Sequence, residues 1–212
     1  MIADSDISPD TVRAFYAFMC GEYRATVKPK RGDLAMEAAA TFLATVQIQK
    51  SRDTFLDNYV TTMGRTVFAP YEVGVDGRWS CWQQIETLAH ECEHIHQQDV
   101  TGSLAHGFDY LASKARRAHI EAEAYAVNLE LHHWRYGVVE DWYPRVRADS
   151  MHGYGVSEAD IAYVRRFLAS RAPTILAGGF LSHAGRSAIA WLDRHAPELR
   201  SPAVRDRRLP WA

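Results

Sequence analysis

The chain has 212 residues, of which 47% are hydrophobic and 24% charged, an ordinary globular composition long enough for one substantial core and a single domain over residues 1–212. A formal charge of -2 excludes the positive excess that drives binding to nucleic acid or anionic lipid, so no nucleic-acid partner is indicated. No stretch approaches the roughly 20 apolar residues of a membrane span, Met1–Asp10 lacks a signal-peptide pattern, and three cysteines (Cys20, Cys81, Cys92) make no disulfide framework, which together predict a soluble, cytoplasmic protein.

Ser8-Pro9 opens a first helix of the cap-then-proline kind, with Val12, Phe15, Tyr16, Met19 and Tyr23 at helical spacing, and this helix is expected to reach about Val27. Lys28 to Asp33 reads as a turn, and the alanine-rich run from Leu34 to about Gln49 as a second helix. Between Asn58 and Val75 the segments Tyr59–Met63, Thr66–Ala69 and Tyr71–Val75 are rich in β-formers, predicting two or three short strands. A helix from about Ser80 to Asp99 follows, closed by Thr101-Gly102, then a short helix over Phe108 to Arg117 and a strong one from Ala118 to about Arg135, stopped by Gly137. Trp142 to Gly155, with Pro144, Gly153 and Gly155, reads as an irregular loop. Ser157 starts a helix through Ile161, Val164, Phe167 and Leu168, the last helix spans roughly Ser182 to His195, and an irregular basic tail is expected over 200–212. The predicted fold class is α+β, predominantly α-helical, with a small β element before the Ser80 helix.

Within that helix, His90-Glu91-Cys92-Glu93-His94 spells His-Glu-x-x-His. Residues four apart share a helix face, so His90 and His94 can converge on one tetrahedral ion, for which zinc is the usual occupant. Glu91, beside His90, is placed to accept a proton from a metal-activated water without being a ligand. Trp82, Ile85, Leu88 and Ala89 supply the amphipathic pattern that such a helix needs. Cys92 points about 200° away from His90 around the helix and reads as a buried filler. His96 faces elsewhere by the same reasoning.

A catalytic zinc usually takes three protein ligands and a water, so a third donor is expected downstream. On a helical wheel of the strong helix, Ile120, Ala124, Val127, Leu131 and Trp134 form one buried stripe with Glu123 on its flank, while Glu121 lies about 100° from Ile120, toward solvent. Glu123 is therefore the predicted third ligand and Glu121 the alternative. His106, Tyr110, His119, His152 and Tyr154 are unranked candidates for stabilising an oxyanion. His132-His133 is incidental, because neighbours on a helix point apart.

His90-Glu-Cys-Glu-His94, followed 29 residues after His94 by Glu123-Ala124, resembles the gluzincin pattern of zinc metallopeptidases over roughly residues 80–135. The resemblance implies a zincin-like core, zinc held by His90, His94 and Glu123, and Glu91 as the base. Gln97 matches the His-Glu-x-x-His-x-x-Gln form of several short bacterial and phage zincins. Thermolysin-like members carry an aspartate four residues after the ligand glutamate, where this chain has Val127; Asn128 is adjacent but expected on a different face. The metzincin pattern fails, since no Gly and third His follow His94 at the required spacing. The expected function is zinc-dependent hydrolysis of a peptide bond in a peptide or protein substrate. The alternative is a non-catalytic zinc protein on the same scaffold, which a closed four-ligand shell would mark.

Overall fold

The computed structural model describes residues 7–45 and 51–205, and in it the chain is mostly helical with one small three-stranded sheet. Helix α1 (Pro9–Glu22) starts as expected, with the Ser8 side chain accepting from the Thr11 backbone N–H. It ends before Val27: Arg24 turns left-handed at φ 50°, and the β-branched Thr26 and Val27 lie in a strand, β1 (Thr26–Pro29). Helix α2 (Leu34–Thr45) follows, and its expected end at Gln49 lies outside the described residues. Helix α3 (Arg52–Asn58), capped by Ser51, is too short and too polar to stand out in the sequence.

Strands β2 (Thr61–Met63) and β3 (Thr66–Ala69) are two of the short strands expected in this region and pair antiparallel, with Thr61 opposite Phe68 and Met63 opposite Thr66. β1 joins β3 in parallel, giving the order β1-β3-β2 and leaving β2 at an edge. Tyr71–Val75 is not a strand, because the buried Gln84 side chain takes its backbone groups, accepting from Gly74 N at 2.9 Å and donating to Val75 O at 2.8 Å.

Helix α4 (Cys81–Thr101) opens on a reciprocal cap between Ser80 and Gln83 and closes at Gly102. α5 (Ser103–Ala112) and α6 (Lys114–Tyr136) follow, and Gly137 stops α6 at φ 80°, which a residue with a Cβ would resist. The segment expected as an irregular loop instead holds α7 (Trp142–Asp149) and a 3-10 turn (Ser150–Tyr154). Pro144 is tolerated because it sits in the first helical turn, where no intrahelical partner is required of its nitrogen. α8 (Glu158–Leu176) and α9 (His183–His195) have the predicted serine caps. The tail has more regular structure than expected: a 3-10 turn (Pro197–Leu199) packs on α9 and α10 (Pro202–Arg205) on α6, with Ser201 N donating to Trp134 O at 3.0 Å; residues 206–212 lie outside the described set.

Packing divides among three apolar clusters. The main one joins α1, α4, α9 and one side of α6 through Phe15, Met19, Trp82, Ile85, Val127 and Trp134. A second joins the other side of α6 to α7 and α8 through Ala122, Tyr125, Leu129, Tyr143, Val164 and Leu168. A third, around Met36, Leu56 and Phe68, seats α2 and α3 on the sheet. α6 is thus buried on two sides, with 17 of its 23 residues buried. Among the described residues no helix is long and apolar enough to cross a membrane.

Candidate metal centre

His90 and His94 stand one turn apart on α4, both buried, with ring centroids 4.8 Å apart and planes inclined at 83°. Each ring is held from behind by an amide oxygen, His90 Nδ1 at 3.0 Å from Asn128 Oδ1 and His94 Nδ1 at 2.9 Å from Gln97 Oε1. An amide oxygen only accepts, so both Nδ1 atoms carry hydrogen and both Nε2 atoms turn toward a common centre.

Glu121, not Glu123, is the third donor at that centre. Glu121 Oε2 lies 3.4 Å from His90 Nε2 and 3.6 Å from His94 Nε2. Donors about 2.0–2.2 Å from a tetrahedral ion stand about 3.3–3.6 Å apart, so these separations are those of a tetrahedron's edges. Glu121 Oε1 accepts from Tyr110 Oη at 2.7 Å, whereas the buried Oε2 accepts no hydrogen bond, an orphaned oxygen that a cation between the two imidazoles would satisfy. His90, His94 and Glu121 are the one such group of potential metal ligands among the described residues.

Glu123 departs from expectation because the wheel assumed one buried stripe on α6, whereas the helix packs on two sides and the histidines face the seam between them. Its side chain is 46% exposed, accepting from Gln97 Nε2 at 3.1 Å and standing 3.3 Å from His119 Nε2. The choice of Glu121 also resolves the orienting partner. Asn128, two helical turns beyond Glu121, shares its face and meets His90, while Val127 is wholly buried in the main core. Four residues after Glu121 comes Tyr125, whose ring lies against His90 with centroids 4.8 Å apart.

The electrostatics bind the group together. Burial by itself pushes the Glu121 carboxyl up, but neighbouring His94 and His90 outweigh it and hold it well below the usual carboxylate range. Burial likewise pulls His94 down, and Glu121 reverses this, raising it to about 9. His106 is lowered by burial and then by the charge on His94.

Glu91 is buried beside the histidines, and its Oε2 accepts from Thr62 Oγ1 on edge strand β2 at 2.7 Å. With His90, His94 and Glu121 it lines a cavity of about 450 Å³ whose far wall is apolar, built by Met36, Phe42, Phe55 and Leu111. Of the candidate oxyanion donors, His106, Tyr110 and Tyr154 line this cavity; His119 opens on a second cavity of about 510 Å³ between α4, α6 and α8, and His152 is a surface residue 3.5 Å from Glu158. Arg117 fixes the wall by donating to the carbonyls of Tyr110, Leu111 and Tyr154. Thr62 and Arg117 carry no sequence signal and Tyr110 is among the unranked oxyanion candidates, whereas Asn128 becomes visible once Glu121 is taken as the ligand. His96 stacks on His183 with ring centroids 4.4 Å apart, and Cys92 is buried in the main core, so neither joins the centre.

Set against known proteins, the chain matches no family model, no curated protein and no solved structure.

Proposed function

We propose that the chain is a zinc-dependent metallopeptidase with a zincin-like core, holding the ion with His90, His94 and Glu121 and using Glu91 as the base. The observation that carries this reading is the triad itself: three donors from two helices within 4.8 Å of one another, the carboxylate at tetrahedral-edge separations from both imidazoles, with the glutamate of His-Glu-x-x-His beside a cavity that reaches them. Two nitrogens and one carboxylate suit zinc, and three protein donors leave a fourth position, which suits catalysis better than a closed structural site.

Zinc supplies Lewis acidity when bound, polarising a carbonyl and lowering the pKa of a water. Glu91, anchored through Oε2 by Thr62, offers its other oxygen to take up a proton and pass it to the leaving amine. Asn128 and Gln97 keep the imidazole lone pairs directed at the centre. Tyr110 is committed to Glu121 and Tyr154 to Tyr125, which leaves His106 as the cavity side chain able to donate to developing negative charge. The apolar far wall favours a peptide or protein substrate that presents an apolar side chain there.

Glu91→Gln tests the assignment directly: the variant should keep stoichiometric zinc by elemental analysis and lose peptide hydrolysis. Cleavage persisting in that variant rules out Glu91 as the base.

A further inference from the structure

We propose that Glu123 is a positioning residue that holds His94 in its metal-binding tautomer by pinning the side-chain amide of Gln97. This rests on the metal-centre reading but not on catalysis. Gln97 Nε2 lies 3.0 Å from Ile120 O and 3.1 Å from Glu123 Oε2. Both are acceptors, so the amide nitrogen belongs on that side and Oε1 is turned to His94 Nδ1, 2.9 Å away. Facing an oxygen, Nδ1 must carry hydrogen, and the Nε2 lone pair is free for an ion. Turned over, the amide would donate to Nδ1, favouring hydrogen on Nε2, a form that cannot ligate.

Ile120 O is a backbone atom present in every variant, so Glu123 is the side chain that biases the amide, with the added strength of a charged acceptor. Glu123 is itself held in place. His119 Nε2 stands 3.3 Å from Glu123 Oε1, and His119 Nδ1 is 2.6 Å from Tyr163 Oη. With that hydroxyl donating to Nδ1, Nε2 carries the hydrogen directed at Glu123. His119, Glu123 and Gln97 line the second cavity, whereas His94 and Glu91 line the first, so the metal ligand is set from a different cavity than the one Glu91 faces.

The test is metal affinity, measured by chelator competition with Zn²⁺ and by the visible spectrum of the Co²⁺-substituted protein, with thermal melting of the metal-free protein as control. Glu123→Ala should weaken binding roughly 10- to 100-fold and alter the cobalt spectrum without moving the metal-free melt. Glu123→Gln, which retains an acceptor oxygen for Gln97, should restore most of the affinity. Because the two residues act in series, Gln97→Ala with Glu123→Ala should bind no more weakly than Gln97→Ala alone. The proposal is overturned if Glu123→Ala matches the wild type in affinity and spectrum, or if the two losses multiply. A wild-type protein that takes up no metal refutes the metal centre itself and the proposal with it, an outcome distinct from an intact site indifferent to Glu123.

Discussion

Metal uptake at this site should release a proton from His94, so affinity should rise about tenfold per pH unit as the pH climbs toward about 9. The cause is the buried pair: desolvation pulls His94 down, but Glu121, 3.6 Å away, outweighs it and moves the group from 6.5 to about 9. At pH 7 the imidazole must lose a proton about two units below its pKa, which weakens binding about a hundredfold, or about 2.7 kcal/mol. Glu121→Gln removes the largest raising influence, leaving burial opposed only by Glu91 and Gln97, so the variant should bind metal weakly and with a shallower pH dependence above pH 7. Calorimetric zinc titrations between about pH 6 and 8, in two buffers of different ionisation enthalpy, count the protons released. Wild-type affinity that is flat across this range, with no proton release, would refute the reasoning. Stability of the metal-free protein should slope the other way. His94 binds more protons in the folded state than in the unfolded chain between 6.5 and about 9, so its contribution is fully present below 6.5 and lost as pH rises through 9.

Three further outcomes are expected. Asn128→Ala should leave the fold intact and weaken zinc binding roughly 10- to 100-fold in a chelator competition, because His90 loses the acceptor that sets its tautomer. Burial raises the Glu130 carboxyl to about 7 despite bonds from Ser182 and Leu181, so its contribution is fully present below pH 4.5 and lost as pH rises through 7. Urea unfolding at about pH 4 and pH 8 should differ on this account by about 3 kcal/mol in the wild type, and Glu130→Gln should remove that difference. Val127→Asp, which puts an aspartate four residues after Glu123, should instead destabilise the protein by about 3–5 kcal/mol in urea without tightening zinc binding, since Val127 lies wholly within the main core and Glu123 is not part of the triad.

The helices that carry the centre were legible because their signals are local: the Ser80, Ser157 and Ser182 caps, the Gly102 and Gly137 stops, and the His90/His94 spacing all depend on neighbours in sequence. Strands β2 and β3 were legible as short β-rich runs for the same reason, though not their pairing. β1 was not, because Thr26 and Val27 become a strand only through parallel pairing with a segment some 40 residues away. α7 was hidden by Pro144, whose breaking effect disappears in a first turn. The third ligand was the costliest miss. A single-stripe wheel cannot describe a helix packed on two sides, and on α6 it set Glu123 on the flank of the buried stripe and Glu121 further toward solvent, whereas packing against α4, α7, α8 and α9 buries Glu121 and leaves Glu123 half-exposed.

That two-sided burial has a consequence for how an ion comes and goes. α6 cannot roll or slide without disturbing the cluster it shares with α1, α4 and α9 and the one it shares with α7 and α8, so the register of Glu121 opposite His90 and His94 is an outcome of folding and does not wait for the ion. Small zinc modules, which have little interior of their own, unfold when chelated. Here the helices that carry the triad share two apolar clusters of their own, so loading and stripping of an ion should be local exchanges that leave those clusters packed.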